Sequence, residues 1–296
     1  MTEPTDIDPP SLAVRDAVGR ALAEDLLPLG DLTASLLDAA ACTDARLVGR
    51  ADGVLAGRAC ATEAFAQVDP SVAVVWQVDE GSPVVPGRVL ASVRGPARSV
   101  LSAERTALNF LCHLSGVATA TRRFVDLAIA ANPATRILDT RKTTPGLRPL
   151  EKAAVRAGGG VNHRGSLSEA VLVKDNHLGG TTIAKAVATA RDRWPGRLVE
   201  VECERREQVA EAVASGAGQV LLDNMTPDEV AACVTLVRER APDRPGGRGV
   251  LVEVSGGVSV QTVGAYAAAG ADLISVGAIT HSAPALDIGL DLSVEG

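Results

Sequence analysis

Residues 136–174 hold eight cations, Arg136, Arg141, Lys142, Arg148, Lys152, Arg156, Arg164 and Lys174, against only Asp139, Glu151 and Glu169. The whole chain of 296 residues has a net charge of −7. A local cationic field in an acidic protein suits a small anion. A helix over 147–157 with a basic face accounts in part for Arg148, Lys152 and Arg156. It does not account for Arg141, Lys142, Arg164 and Lys174, which sit beside apolar strands and glycine-rich turns. Guanidinium forks match carboxylate geometry. Arg141, Arg164 and Lys174 therefore form a candidate carboxylate clamp, together with His163 of the "NHR" stretch that follows Gly158-Gly159-Gly160.

Carboxylates come next along the chain. Strand alternation puts Glu200 and Glu202 on one face, and Asp223 closes the following apolar run. Paired carboxylates such as Glu202 and Asp223 hold a divalent metal, bind ribose hydroxyls or stabilise a developing cation. The plainer alternative is a buried pair neutralised by Lys142 or Lys174. "VSGGVS" (254–259), entering a helix over 260–269, suits a phosphate, because glycine lets the backbone approach it closely. A simple tight turn explains the same segment equally well. Together the residues ask for a substrate with carboxylates, a phosphate and a centre that becomes positive.

The elements that must position these groups follow from pattern. Residues 11–27 have helical spacing and stop at Pro28, where "EDLLPLGDLT" (24–33) breaks into a loop. Residues 44–100 read as short strands with Gly/Pro turns. Ser102 is the expected cap of a helix that runs to about 131, with a break near Ser115-Gly116 and a stop at Pro133. Beyond it, apolar strands at about 136–140, 170–174, 198–203, 219–223, 250–254 and 272–276 alternate with helices. One of these, over 227–240, starts on Thr226, Pro227 and Glu229. Continuous apolar strands fit a parallel sheet buried on both faces. The absence of GxGxxG and GxxxxGK[ST] between a strand and a helix favours a barrel over a doubly wound sheet. A barrel of this kind places its chemistry at the carboxyl ends of the strands. Those ends carry Arg141-Lys142, Lys174, Glu202, Asp223, Glu253 with Ser255-Gly256-Gly257, and Ser275-Val276-Gly277.

Composition narrows the function classes. Hydrophobic residues make up 46%, as in a globular chain, and no apolar stretch approaches the roughly 18 residues of a membrane span. The N-terminal MTEPTDIDPP is acidic and Pro-rich, the reverse of a secretory leader. Five cysteines without CxxC spacing argue for reduced thiols in the cytoplasm and against a zinc site. With a pI of about 5.2 and 2% aromatics, no nucleic-acid surface is expected.

The motifs carry a resemblance across nearly the whole chain. EDLLPLGDLT (24–33), SAERTALNFLCHLSG (102–116), ILDTRKTTPGLRPLEKAAVRAGGGVNHR (137–164), VLVKDNH (171–177), VEVE (199–202), LLDN (221–224), VEVSGG (252–257) and ISVGAITHSAPALD (274–287) resemble the quinolinate phosphoribosyltransferase family of type II phosphoribosyltransferases. The DTRKTTPGLR and GGGVNHR blocks are the most specific. The resemblance implies an α/β architecture of two domains. One is an N-terminal α/β sandwich over 1–117, to which 284–296 returns, and the other is an incomplete TIM-like α/β barrel over 118–283.

It also implies a homodimer that shares Arg105 across its interface; from the sequence alone, Arg105 is a solvated residue in a helix's first turn. By the same resemblance Arg105, Arg141, His163, Arg164 and Lys174 bind quinolinate, and Lys142, Glu202 and Asp223 are catalytic. Lys142, Ser255, Gly256, Gly257, Gly277, Ala278 and His281 take the phosphates of phosphoribosyl pyrophosphate. That substrate arrives with Mg²⁺, which Glu202 and Asp223 meet directly or through water, and no redox cofactor is needed. The implied reaction is the decarboxylating step of de novo NAD biosynthesis that yields nicotinate mononucleotide, pyrophosphate and CO₂.

Four rivals remain at this stage. A molybdenum-transport-associated relative or a nicotinate phosphoribosyltransferase would change the acceptor, although the full cation set favours a dicarboxylate. The others are a Schiff-base lyase using Lys174 and a non-catalytic anion-binding protein.

Overall fold

The computed structural model describes residues 7–241 and 249–294. Most of the N-terminal segment quoted above, and the last two residues of the returning C-terminal stretch, lie outside the described residues. Helix α1 (Ser11–Leu26) opens the fold and buries Val14, Ala17, Val18 and Leu22, a stripe at helical spacing. There follow strand β1 (Cys42–Gly49), the short β2 (Gly53–Val54), helix α2 (Arg58–Val68), and strands β3 (Ala73–Trp76), β4 (Pro83–Val84) and β5 (Val89–Pro96). Along β1, buried residues alternate with more exposed ones, the period of a sheet with one face on the core.

Helix α3 (Ala97–Ala131) begins ahead of Ser102 and runs without interruption. Ser102 is therefore no cap; its hydroxyl donates to Asp31 Oδ2 at 3.0 Å. The helix does not break at Ser115-Gly116, because Val100, Ala103, Ala107, Leu111, Leu114 and Ala118 form one continuous buried stripe. Gly116 has a packing role. A Cβ there would lie 2.1 Å from the backbone oxygen of Pro284. Gly116→Ala should cost about 1–3 kcal/mol through this overpacking, read as a lower melting temperature; an unchanged melt would show that the 284–285 backbone yields freely.

The chain continues through β6 (Arg136–Leu138), helix α4 (Arg148–Ala157), β7 (Val171–Val173), the short α5 (Asp175–Leu178), α6 (Ile183–Arg193), β8 (Val199–Cys203), α7 (Arg206–Ala214), β9 (Gln219–Asp223), α8 (Pro227–Arg240), β10 (Leu251–Ser255), α9 (Val263–Ala268), β11 (Leu273–Ser275), α10 (Ala278–His281) and β12 (Ile288–Val294). The α8 start matches its sequence signature: Thr226 Oγ1 accepts from the Glu229 N–H, and Glu229 accepts from the Thr226 N–H at 2.8 Å. Helix α9 is shorter than the expected 260–269, because Ser259 and Thr262 spend their hydrogen bonds on a turn.

These elements form two compact units. The first comprises the described residues up to Arg122, together with Lys142–Gly159 and those from Ala278 onward. Its antiparallel sheet has the order β12-β1-β5-β3. The second comprises Arg123–Arg141 and Gly160–Gly277. Its six strands are parallel, in the order β6-β11-β10-β9-β8-β7. β9 is buried along nearly its whole length, as expected of a strand covered on both faces. Among the described residues β6 and β7 do not pair with each other, so the TIM-like barrel is incomplete. No described helix is long and apolar enough to cross a membrane.

Candidate functional site

Register decides which side chains share a face of the second unit's sheet. Paired residues of neighbouring parallel strands point the same way, and Glu200 pairs Gln219, Glu202 pairs Leu221, Glu253 pairs Leu221 and Ser255 pairs Asp223. One face therefore carries Glu200 and Glu202 of β8, Gln219 and Asp223 of β9, Glu253 and Ser255 of β10, and Ser275 of β11. Lys174, just beyond β7, joins it and pairs through Nζ with Glu202 Oε2. Lys174 thus neutralises Glu202, one member of the carboxylate pair for which the sequence offered a lysine partner as the plainer alternative; Asp223 instead accepts from Asn224 Nδ2 at 2.8 Å.

Below the strand tips lies a polar network. Glu200 and Glu253 are 1% and 0% exposed. Gln219 Nε2 donates to Glu200 Oε1 at 3.0 Å and also to Glu253 Oε2. Ser275 Oγ donates to Glu253 Oε1. His163 Nε2 lies 3.2 Å from Glu200 Oε2 and 3.5 Å from Glu253 Oε2. The ligand atoms of His163, Glu200 and Glu253 fall within 4.8 Å of one another, yet all four carboxylate oxygens already have protein partners. Hydrogen bonding explains the convergence without a cation.

Burial, and then the Glu200 carboxylate, push the Glu253 carboxyl well above its ordinary value of 4.5. The folded chain thus holds a proton that the unfolded chain releases above that value. Stability linked to Glu253 is present below it and lost as pH rises toward the folded value. Glu253→Gln cannot ionise, so it should flatten the fall of melting temperature above about pH 5. An unchanged slope would show that Glu253 is charged in the fold.

The cationic segment is anchored from below. Asp139, fully buried just past β6, accepts the His163 N–H at 2.8 Å and Asn162 Nδ2 at 2.6 Å. The Arg164 N–H donates to His163 Nδ1 at 2.8 Å, and Arg164 Nη1 donates to the Ala170 carbonyl at 2.9 Å. Burial first, and the neighbouring Arg141 second, pull the Arg164 guanidinium below its usual value. Two guanidiniums that resist each other in this way create a field that attracts an anion.

In the loop after β10, Gly256 has φ +92, and a Cβ there would sit 2.3 Å from Asn224 Oδ1. Gly257 also has positive φ, at +59, with open space beside it. The turn thus requires glycine twice and leaves backbone accessible at Gly257. Gly277 closes this unit, after β11.

Arg105, Lys142, Ala278 and His281 belong to the first unit. Arg105 is exposed on α3. The Lys142 carbonyl accepts from Thr280 Oγ1 at 2.8 Å, which ties it to the turn of Ala278 and His281. His281 Nδ1 lies 2.6 Å from Ser282 Oγ. The loop after Lys142 rests on Glu151, fully buried in α4, which accepts the Thr144 N–H at 3.1 Å and lies 2.8 Å from His113 Nε2. Lys152 is buried too, so the α4 cations are not simply a solvated face.

From the sequence alone, Asp139, Glu151, Glu200, Gln219, Glu253 and Ser275 have no assigned role. Strand alternation was the available signal for the pair on β8. Burial removes Cys203 from consideration as a nucleophile by pushing its thiol up to about 12.

Comparison with known proteins agrees with this fold. Residues 31–115 match the quinolinate phosphoribosyl transferase N-terminal domain, and residues 117–291 match its C-terminal domain. A Mycobacterium leprae protein named nicotinate-nucleotide pyrophosphorylase (carboxylating) is 40% identical over 95% of this chain and 97% of its own. A Bacillus subtilis protein named as a probable enzyme of the same kind is 39% identical over 90% of this chain and 89% of its own. The solved structure of the nicotinate-nucleotide pyrophosphorylase from Francisella tularensis superposes with a TM-score of 0.89 at 37% identity, over 97% of this chain and 98% of that one.

Proposed function

We propose, from the premise that this chain belongs to the quinolinate phosphoribosyltransferase family, that it transfers phosphoribosyl from phosphoribosyl pyrophosphate to quinolinate with loss of CO₂. The products are nicotinate mononucleotide, pyrophosphate and CO₂. The single observation that carries the dicarboxylate acceptor is the adjacency of Arg141 and Arg164, whose charged neighbour Glu200 shares a strand face with the Lys174-paired Glu202.

In this reading Arg141, Arg164 and Lys174, joined by Arg105 from a second copy of the chain in a homodimer, take the two ring carboxylates, and His163, next to Arg164, belongs to the same clamp. Phosphoribosyl pyrophosphate enters as its magnesium complex. Glu202 and Asp223 offer hard carboxylate oxygens on one face of adjoining strands, a donor set that fits magnesium carried on a phosphate substrate, directly or through water. The same carboxylates face the ribose. Lys142 meets the phosphates, with Ser255, Gly256, Gly257, Gly277, Ala278 and His281 around the 5′-phosphate.

Departure of pyrophosphate leaves positive character at the anomeric carbon, which Glu202 and Asp223 stabilise. The pyridine nitrogen forms the new bond there. When the adjacent carboxylate leaves as CO₂, its bonding electron pair stays on the ring carbon beside the pyridinium nitrogen, whose positive charge stabilises it, and that carbon then takes a proton from solvent. No redox cofactor is called for. The scattered thiols, with Cys60 and Cys203 pushed up to about 12 by burial, suit a cytoplasmic setting.

A thermal titration tests the acceptor. Quinolinate relieves the repulsion between Arg141 and Arg164, so a hundredfold excess over its Kd should add about 2.7 kcal/mol and raise the melting temperature by roughly 5–10 °C. Nicotinate at the same concentration, with one carboxylate and so a weaker Kd, should do less. Equal shifts from both, or none from quinolinate, would refute the dicarboxylate reading.

A further inference from the structure

The buried network beneath the strand tips makes none of the contacts assigned to substrate above. It nevertheless ends on two residues of the proposed clamp. Its geometry fixes a tautomer. His163 Nδ1 accepts the backbone N–H of Arg164, so it carries no proton. The ring proton must then sit on Nε2, where it points at Glu200 Oε2, 3.2 Å away, and toward Glu253 Oε2 at 3.5 Å. Both ring nitrogens have protein partners, which leaves neither obviously available to a substrate carboxylate.

We infer that Glu200 and Glu253, braced by Gln219 and Ser275, are positioning residues that lock His163 as its Nε2–H tautomer so that Nδ1 holds the Arg164 backbone and aims its guanidinium. His163 then serves the clamp through Arg164 and not by a ring hydrogen bond of its own. The inference rests on the dicarboxylate reading only for what Arg164 grips.

The chain of contacts is continuous. Ser275 and Gln219 fix Glu253, Gln219 also fixes Glu200, Glu200 fixes the imidazole, and the imidazole fixes the 163–164 peptide. Asp139 fixes the same peptide segment from its other end by accepting the His163 N–H. The Ala170 carbonyl takes one Arg164 nitrogen. A guanidinium has five N–H donors, so the rest of its fork stays available for a carboxylate. Carboxylates that orient an imidazole through one nitrogen while the other does the work recur in protein sites. Here the supported atom is a backbone amide.

The test has two readouts. The chain has four histidines, so side-chain ¹⁵N spectra of the ligand-free protein are simple, and His163→Asn assigns the resonance. A neutral Nε2–H form at His163 is expected. The Nδ1–H form, or averaging between the two, overturns the inference whether or not the protein turns over quinolinate.

The second readout is kinetic. In Glu200→Gln an amide replaces one of two acceptors, so the His163 proton or the Gln219 contact is lost. The KM for quinolinate should rise about tenfold, with the KM for phosphoribosyl pyrophosphate within about twofold. Ser275→Ala, a milder cut at the far end of the network, should raise the quinolinate KM by about threefold with the fold intact. Equal changes in both KM values, or none in either variant, would overturn the positioning role. Absence of quinolinate turnover by the unmodified chain would instead sink the activity reading, and the spectrum would still decide the network.

Discussion

Lys174→Ala will lower kcat/KM for quinolinate by about two to three orders of magnitude while the chain stays folded. Two losses combine. The substrate loses one charge-assisted contact, of roughly 1.5–3 kcal/mol. Glu202 also loses the ammonium that now neutralises it. A carboxylate left without its cation then faces an anionic substrate, and truncating one member of such a pair costs about 2–5 kcal/mol. Because the Lys174 side chain is 38% exposed, water screens part of this, and about 3–4 kcal/mol is the expected total. Lys174→Arg should recover only a part, since a planar fork does not reproduce a compact point charge. A loss below about tenfold in a folded Lys174→Ala protein would remove Lys174 from the clamp.

Arg105→Ala will abolish activity without unfolding the chain, and mixing it with inactive Lys174→Ala protein will restore about a quarter of normal activity. The fraction follows from the proposed sharing. In a random mixture, half of the dimers are hybrids. Each hybrid pairs an intact Lys174 on one chain with an intact Arg105 on the other, so one of its two sites is complete. Arg105 is exposed on α3 and lies in the first unit, whereas Arg141, His163, Arg164 and Lys174 lie in the second. Removing it therefore disturbs no core packing. If subunits exchange and no activity returns, Arg105 serves its own chain's site or none.

Much of the fold was legible because periodicity reports burial directly. The strands at 199–203, 219–223 and 251–255 are apolar runs in the sequence and buried parallel strands in the structure. The α8 start was legible because Thr226, Pro227 and Glu229 act locally. The α3 start was not. Ser102 looks like a cap, but it bonds to Asp31, far away in the sequence, and tertiary packing extends the helix back to Ala97. The same limit applies to Gly116, which reads as a break and is a close approach to Pro284.

At the site, the surface cations were visible as charge against an acidic background. The groups that orient them were not, because Asp139, Glu151, Glu200, Gln219, Glu253 and Ser275 are buried polar residues whose partners lie on other elements. An acidic residue in a strand gives no sign of which histidine it will meet. Register supplies that information, and pairing Glu200 with Gln219 is a property of the sheet.

The most direct measurement is a product assay. Purified protein would be given quinolinate, phosphoribosyl pyrophosphate and Mg²⁺, with CO₂ and nicotinate mononucleotide followed together and nicotinate supplied in a parallel reaction. The account predicts CO₂ and nicotinate mononucleotide in equal amounts from quinolinate, and no turnover of nicotinate. Turnover of nicotinate alone, or nucleotide formation from quinolinate without CO₂, would contradict it.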